Sequence, residues 1–90
     1  MRIAHKGLRR LFERDDTRLL NPNHVGRIRR VLSDLEFARQ PQDLNWPGYR
    51  LHALEGNLRG YWAVRISGNW RIVFRFAHGE AVDVDLVDYH

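Results

Sequence analysis

The stretch GYWAVRISGNWRIVFRFAHGEAVDVDLV, residues 60–87, decides the fold. Apolar and polar residues alternate in it with the period of two that sends successive side chains to opposite faces of a strand. Two short turns interrupt the pattern. Ser67-Gly68-Asn69 is a glycine-containing hairpin loop, and His78-Gly79 is a two-residue loop with a glycine available for positive φ. Loops this short force Gly60–Ile66, Trp70–Ala77 and Glu80–Val87 into an antiparallel meander. The alternation predicts one apolar face made of Trp62, Val64, Ile66, Trp70, Ile72, Phe74, Phe76, Val82, Val84 and Leu86. The opposite face carries Tyr61, Arg65, Arg71, Val73, Arg75, Asp83 and Asp85, and it is richest in arginine along the middle strand. An antiparallel sheet can leave such a face in water.

Upstream, Tyr49–Leu54 carries strand signals, and Asn45-Trp46-Pro47-Gly48 is dense in turn residues. Pro41 closes a helical region. A helix is predicted from about Pro22 to Phe37, with Asn21 as N-cap and proline in the first turn. Val25, Ile28, Leu32 and Leu35 line one of its faces. Arg27 and Arg30 fall on the other side, with Arg29 near the edge, as a solvated or a phosphate-contacting surface. A shorter helix over Gly7–Arg14 shows Leu8, Leu11 and Phe12 at helical spacing. The prediction is an α+β domain spanning residues 1–90, with two N-terminal helices packed on one face of a mainly antiparallel sheet.

Composition narrows the function classes. The 90 residues hold no cysteine, which removes disulfide frameworks, thiolate zinc sites and cysteine nucleophiles. The N-terminus lacks the apolar core of a signal peptide, and no apolar run approaches membrane-spanning length, so a cytoplasmic location and no membrane partner are expected. Fifteen Lys and Arg stand against 11 acidic residues, for a formal charge of +4. Lys6 is the only lysine; the other cations are arginines, whose forked donors suit phosphates. A polyanionic partner fits that balance.

The chain ends Asp88-Tyr89-His90, and His52 and Arg71 lie in expected strands. Ribose-assisted RNA cleavage needs a base for the 2′-OH, a cation for the phosphorane and an acid for the 5′-oxygen. The nucleophile is already in the substrate, so neither a metal nor another cofactor is required. His52, Arg71, Tyr89 and His90 could fill those roles. Each also has a plainer reading: an edge histidine, a cross-strand partner for Asp83 or Asp85, a strand anchor and a frayed end. His5, His24 and His78 read as structural or exposed. The clustered spacing of a metal site is absent from the sequence.

Four segments in register sharpen this reading: Leu51-His52-Ala53-Leu54-Glu55-Gly56-Asn57, Gly60-Tyr61-Trp62-Ala63-Val64-Arg65, Gly68-Asn69-Trp70-Arg71-Ile72 and Val87-Asp88-Tyr89-His90. Together with His5-Lys6-Gly7-Leu8 running into Leu11-Phe12, they resemble a HigB-type toxin of the RelE/ParE superfamily. The resemblance implies a RelE-like fold and a type II toxin that cuts mRNA on the ribosome, at the 30S decoding site beside 16S rRNA. It also implies a helix-turn-helix HigA-type antitoxin, with operator DNA reached only through that partner. Carried over by position, the catalytic residues are His52, Arg71, Asp88, Tyr89 and His90; the expected RNA contacts, from the arginine-rich sheet face and its neighbourhood, are Arg59, Arg65, Arg75 and Tyr61. One position departs: relatives with His-x-Leu-Lys-Gly carry a lysine where this chain has Glu55. Either Arg59 or Arg65 compensates for it, or activity is lower, or the position is peripheral. The rival readings are a ParE-like toxin that binds a protein such as a topoisomerase without chemistry, and a basic RNA-binding module without turnover.

Overall fold

The computed structural model describes residues 1–89. Its helices are α1 (Lys6–Arg14) and α2 (Val25–Phe37), and its strands are β1 (His52–Ala53), β2 (Trp62–Ser67), β3 (Trp70–Ala77) and β4 (Glu80–Asp88). The strands form one antiparallel sheet in chain order, β1-β2-β3-β4. Leu8 and Leu11 of α1, and Ile28, Val31, Leu32 and Leu35 of α2, bury against Val64, Ile66, Ile72, Phe74 and Val84. This is the two-layer arrangement expected from the alternation.

The helix ends are set locally. His5 caps α1, its Nδ1 accepting from the Leu8 N–H at 3.2 Å. Gly7 is required beside that ring, because a Cβ there would lie 2.9 Å from His5 Cε1 and 3.0 Å from Leu20 Cδ2. Phe12 does not join the stripe; it is exposed, and Leu20 fills its expected place. The second helix starts three residues later than Pro22. Asn21 instead organises a turn, accepting from Asn23 N–H through its side chain and from His24 N–H through its carbonyl. Arg27 is half-buried and engaged with backbone: its Nε donates to the Arg65 carbonyl at 2.9 Å and its Nη2 to the Gly48 carbonyl.

The sheet departs from the simple alternation at two points: β2 slips by one residue against β3 between Arg65 and Ser67, and β4 slips against β3 farther from that hairpin. Val73 pairs with Asp85 but Arg75 pairs with Val82, so one extra residue of β4 faces β3 between them. Asp83 supplies the bulge, with φ at 52°. Val82 is therefore turned onto the Arg75 side, and Ala81, paired with Phe76, takes its predicted place in the main core. Trp70 sits at the margin of that core, 38% exposed and tilted against His24 at 6.2 Å between ring centres. The segment before α1 covers the free edge of β4 in parallel fashion. Arg2 N–H donates to Ala81 O, Val84 N–H to Arg2 O and Ala4 N–H to Val84 O, at 2.8–3.1 Å.

Strand β1 is shorter than Tyr49–Leu54 predicts. Gly48 and Arg50 both take left-handed backbone, with φ of 87° and 51°, which bends the chain out of strand geometry until His52. His78 and Gly79, at φ of 54° and 76°, form the mirror-image turn that two-residue hairpins favour. Among the described residues no helix is long and apolar enough to cross a membrane.

Candidate functional site

The face of the sheet away from the helices is organised in rows across the strands. Paired residues share a face, so register alone assigns them. The central row runs His52–Ala63–Val73–Asp85. Its two middle members are buried, and with Leu54 they form a small second core flanked by Leu58, Tyr61 and Val87. This face is therefore only partly wet: it has a shallow apolar floor with a histidine at one end and a carboxylate at the other.

The next row, toward the β2–β3 hairpin, is Arg65–Arg71–Val87. Two arginines stand directly opposite each other, with Cα atoms about 5 Å apart. Among the described residues no ion pair engages either one. Like charges facing across a ladder are unfavourable, and an anion bound between them removes the penalty. Arg71 is also held in place. Its Nη1 donates to Gly68 O at 2.7 Å and Trp70 O at 3.1 Å. Both Nη1 hydrogens are thereby used, which leaves the Nε–Nη2 edge, the pair of donors that grips a phosphate bidentately.

His52 lies diagonally from Arg65, about 7–8 Å away between Cα atoms, and about 12 Å from Arg71. Its ring is exposed, and Nδ1 lies 3.0 Å from the carbonyl of Arg50. A carbonyl only accepts, so Nδ1 carries the hydrogen, and in the neutral ring the lone pair is then on Nε2. The carbonyl of Arg50 was not among the residues singled out from sequence. Backbone acceptors leave no mark in composition or spacing.

The chain end comes to the same hairpin. Trp70 pairs with Asp88, and Tyr89 N–H donates to Asn69 O at 2.8 Å. Continuing the alternation one residue past β4 puts Tyr89 on the face of Val87 and Arg71, and the residue is 40% exposed. Asp88 falls in the row of Trp70 rather than that of Arg71. His90 lies outside the described residues.

The remaining expected RNA contacts divide. Arg65 belongs to the arginine row. Arg75 lies at the opposite end of the face, where its Nε donates to Asp83 Oδ2 at 2.6 Å. Asp83 first, and the Tyr61 hydroxyl after it, push that guanidinium above its ordinary pKa. Arg75, rather than Arg71, is therefore the cross-strand partner of Asp83. Glu55 and Arg59 flank a 3₁₀ turn, Gly56–Leu58, beyond the Leu54–Tyr61 backbone contact. Neither Glu55 nor Arg59 belongs to the arginine row, which Arg65 shares with Arg71. Among the described residues no three His, Asp or Glu side chains gather as a metal site would require.

Compared with known proteins, the chain matches over residues 1–90 a family model described as a RelE-like toxin of the type II toxin–antitoxin system HigB. It is 40% identical over 88 residues to a Proteus vulgaris protein named Endoribonuclease HigB, covering 98% of this chain and 96% of that one. It is 32% identical over 88 residues to the Toxin HigB-1 of Vibrio cholerae serotype O1, covering 96% and 93% respectively.

Proposed function

The chain belongs to the HigB-like family of RelE-like toxins of type II toxin–antitoxin systems and is an endoribonuclease toxin, and we propose that it cuts mRNA on the ribosome through the open face of its sheet. The observation that carries this reading is the row of Arg65 and Arg71, uncompensated among the described residues, beside His52 over an apolar floor. The scissile phosphate lies against the Nε–Nη2 edge of Arg71 and the head of Arg65. His52 Nε2 takes the proton of the ribose 2′-OH. The 2′-oxygen attacks phosphorus, the bond to the 5′-oxygen breaks, and the leaving oxygen receives a proton from the chain end, where His90 is the donor. Tyr89 stacks on or orients the substrate, and Asp88 sets the charge around its neighbours. The products are a 2′,3′-cyclic phosphate and a 5′-hydroxyl. No metal or other cofactor enters this scheme, because the nucleophile is part of the substrate.

Arg59, Arg75 and Tyr61 line the path of the RNA away from the cut, where the Arg75 charge is already shared with Asp83. The decoding site of the 30S subunit, with its 16S rRNA, presents the message to this face. A HigA-type helix-turn-helix antitoxin in the same cytoplasm holds the toxin inactive and carries it to operator DNA. Primer extension on message translated by purified ribosomes tests the core of this scheme. Cuts within the translated region, ending in 5′-hydroxyl, are expected, with a loss of about 10²–10⁴-fold in His52→Ala and in His90→Ala. DNA damage without message cleavage would instead indicate a protein-directed toxin. Stoichiometric protection of message without turnover would indicate a binding module.

A further inference from the structure

We propose that Arg27 and Tyr49 are positioning residues, a clamp from α2 that sets the tautomer and direction of the His52 ring. The inference rests on the reading of His52 as the catalytic base. The links are continuous. The guanidinium of Arg27 lies over the Tyr49 ring, 5.3 Å from its centre. One edge of it donates to the carbonyl of Gly48 and its Nε donates to the carbonyl of Arg65, so it ties the segment entering β1 to β2. The Tyr49 carbonyl accepts from Arg65 N–H at 2.7 Å, and the Tyr49 hydroxyl donates to Asp34 Oδ2 at 2.7 Å. Tyr49 is almost wholly buried, so its ring has one place to be.

What the clamp holds is strained. Within three residues the chain takes left-handed backbone twice, at Gly48 and at Arg50, with φ of 87° and 51°. Glycine adopts that conformation freely; a long side chain does not, and it persists only where surroundings over-determine it. The turn at Arg50 aims its carbonyl at His52 Nδ1, 3.0 Å away. If the clamp slackens, Arg50 relaxes toward extended backbone, the carbonyl swings off, and His52 loses the partner that keeps Nε2 unprotonated. Lysine in place of Arg27 keeps the charge but cannot reach two carbonyls with a rigid fork.

The test compares Arg27→Lys, Tyr49→Phe and wild type by ¹⁵N NMR of the His52 ring and by kcat and KM for cleavage on programmed ribosomes. The expectation for folded Arg27→Lys is a shift of His52 away from the Nδ1–H tautomer. kcat should fall about 10- to 100-fold with KM within about twofold, as for a small misplacement of a reacting group. Tyr49→Phe, which removes only the hydroxyl anchor, should move both readouts the same way by a smaller factor, and it decides the matter if Arg27→Lys does not fold. An unchanged tautomer with kcat within about twofold of wild type, in a variant of native circular dichroism, overturns the clamp. Full cleavage by His52→Ala would overturn the functional reading instead, and the tautomer measurement would still judge the clamp.

Discussion

Removing Arg65 should stabilise the protein while crippling it. In the sheet Arg65 and Arg71 are direct partners, and among the described residues no carboxylate pairs with either. A like-charged pair in that position costs about 0.2–1 kcal/mol. The Arg65 hydrogen bonds to Tyr49 and Arg27 run through its backbone, so Arg65→Ala keeps them. Its net effect is a gain of a few tenths to about 1 kcal/mol, or about 1–6 °C in Tm for a domain of this size. Arg71→Ala relieves the same repulsion but also loses the bonds from Nη1 to Gly68 O and Trp70 O, worth about 0.5–1 kcal/mol in a half-exposed setting. Its two effects cancel to within about 0.5 kcal/mol. The double mutant should therefore be less stable than the sum of the singles predicts, the signature of a repulsive pair. Activity moves the other way: removing a charged donor from a developing oxyanion costs about 10²–10³-fold, so Arg71→Ala should fall that far and Arg65→Ala about tenfold. Urea unfolding of the four proteins and cleavage on programmed ribosomes supply both halves. A destabilisation above about 1 kcal/mol in Arg65→Ala, or Arg71→Ala cutting within threefold of wild type, would refute the idea that this row is held open for a phosphate.

Burial first, and Asp34 second, push the Tyr49 hydroxyl above its ordinary pKa. The folded state then keeps a proton that the unfolded chain releases above about pH 10, so stability is full below that pH and falls as pH rises through it. The urea midpoint of wild type should drop more steeply between about pH 9 and pH 11 than that of Tyr49→Phe; parallel curves would count against it. Phe74→Ala, at a fully buried site, should cost about 3–5 kcal/mol. Phe37→Ala, on a side chain 78% exposed, should stay within about 0.5 kcal/mol by the same unfolding assay. Arg75→Ala removes a surface ion pair and should cost no more than about 1 kcal/mol, with a smaller loss of cleavage than Arg71→Ala.

The meander was legible because its determinants are local. Two turns with left-handed residues, and alternation through β2 and β3, set the pairing of residues 62–77 apart from the one-residue slip between Arg65 and Ser67. What sequence could not show has a different physical origin in each case. The run Ala81-Val82-Asp83-Val84-Asp85 alternates as a regular strand would, yet its register slips, because aspartate tolerates left-handed backbone without a glycine to announce it. The pairing of Arg2 and Ala4 with β4 joins residues about eighty positions apart and depends on that same slip. Arg27 sits where a helical wheel puts a solvated cation, but its partners are backbone carbonyls of two distant segments. Of the expected site, His52, Arg65, Arg71 and Tyr89 fall on one face, whereas Arg75 lies toward its other end and Arg59 follows the 3₁₀ turn ahead of β2.

That division follows from how a sheet arranges charge. Residues two apart on a strand return to the same face about 7 Å along, so Arg71, Val73 and Arg75 form a file in which an apolar residue separates two cations. One cation faces another arginine and the other faces Asp83 across the bulge. Asp83 thus goes to Arg75, and the Arg65–Arg71 row, which faces Val87, has no carboxylate paired with it among the described residues. An RNA backbone crossing this face meets a neutralised end, a dry floor of Ala63 and Val73, and then a concentrated positive charge beside a histidine whose Nε2 is free to accept. Over such a floor the attraction between guanidinium and phosphate is less screened than in water, so under the proposed scheme the charge would act where the phosphorane forms rather than along the whole strand.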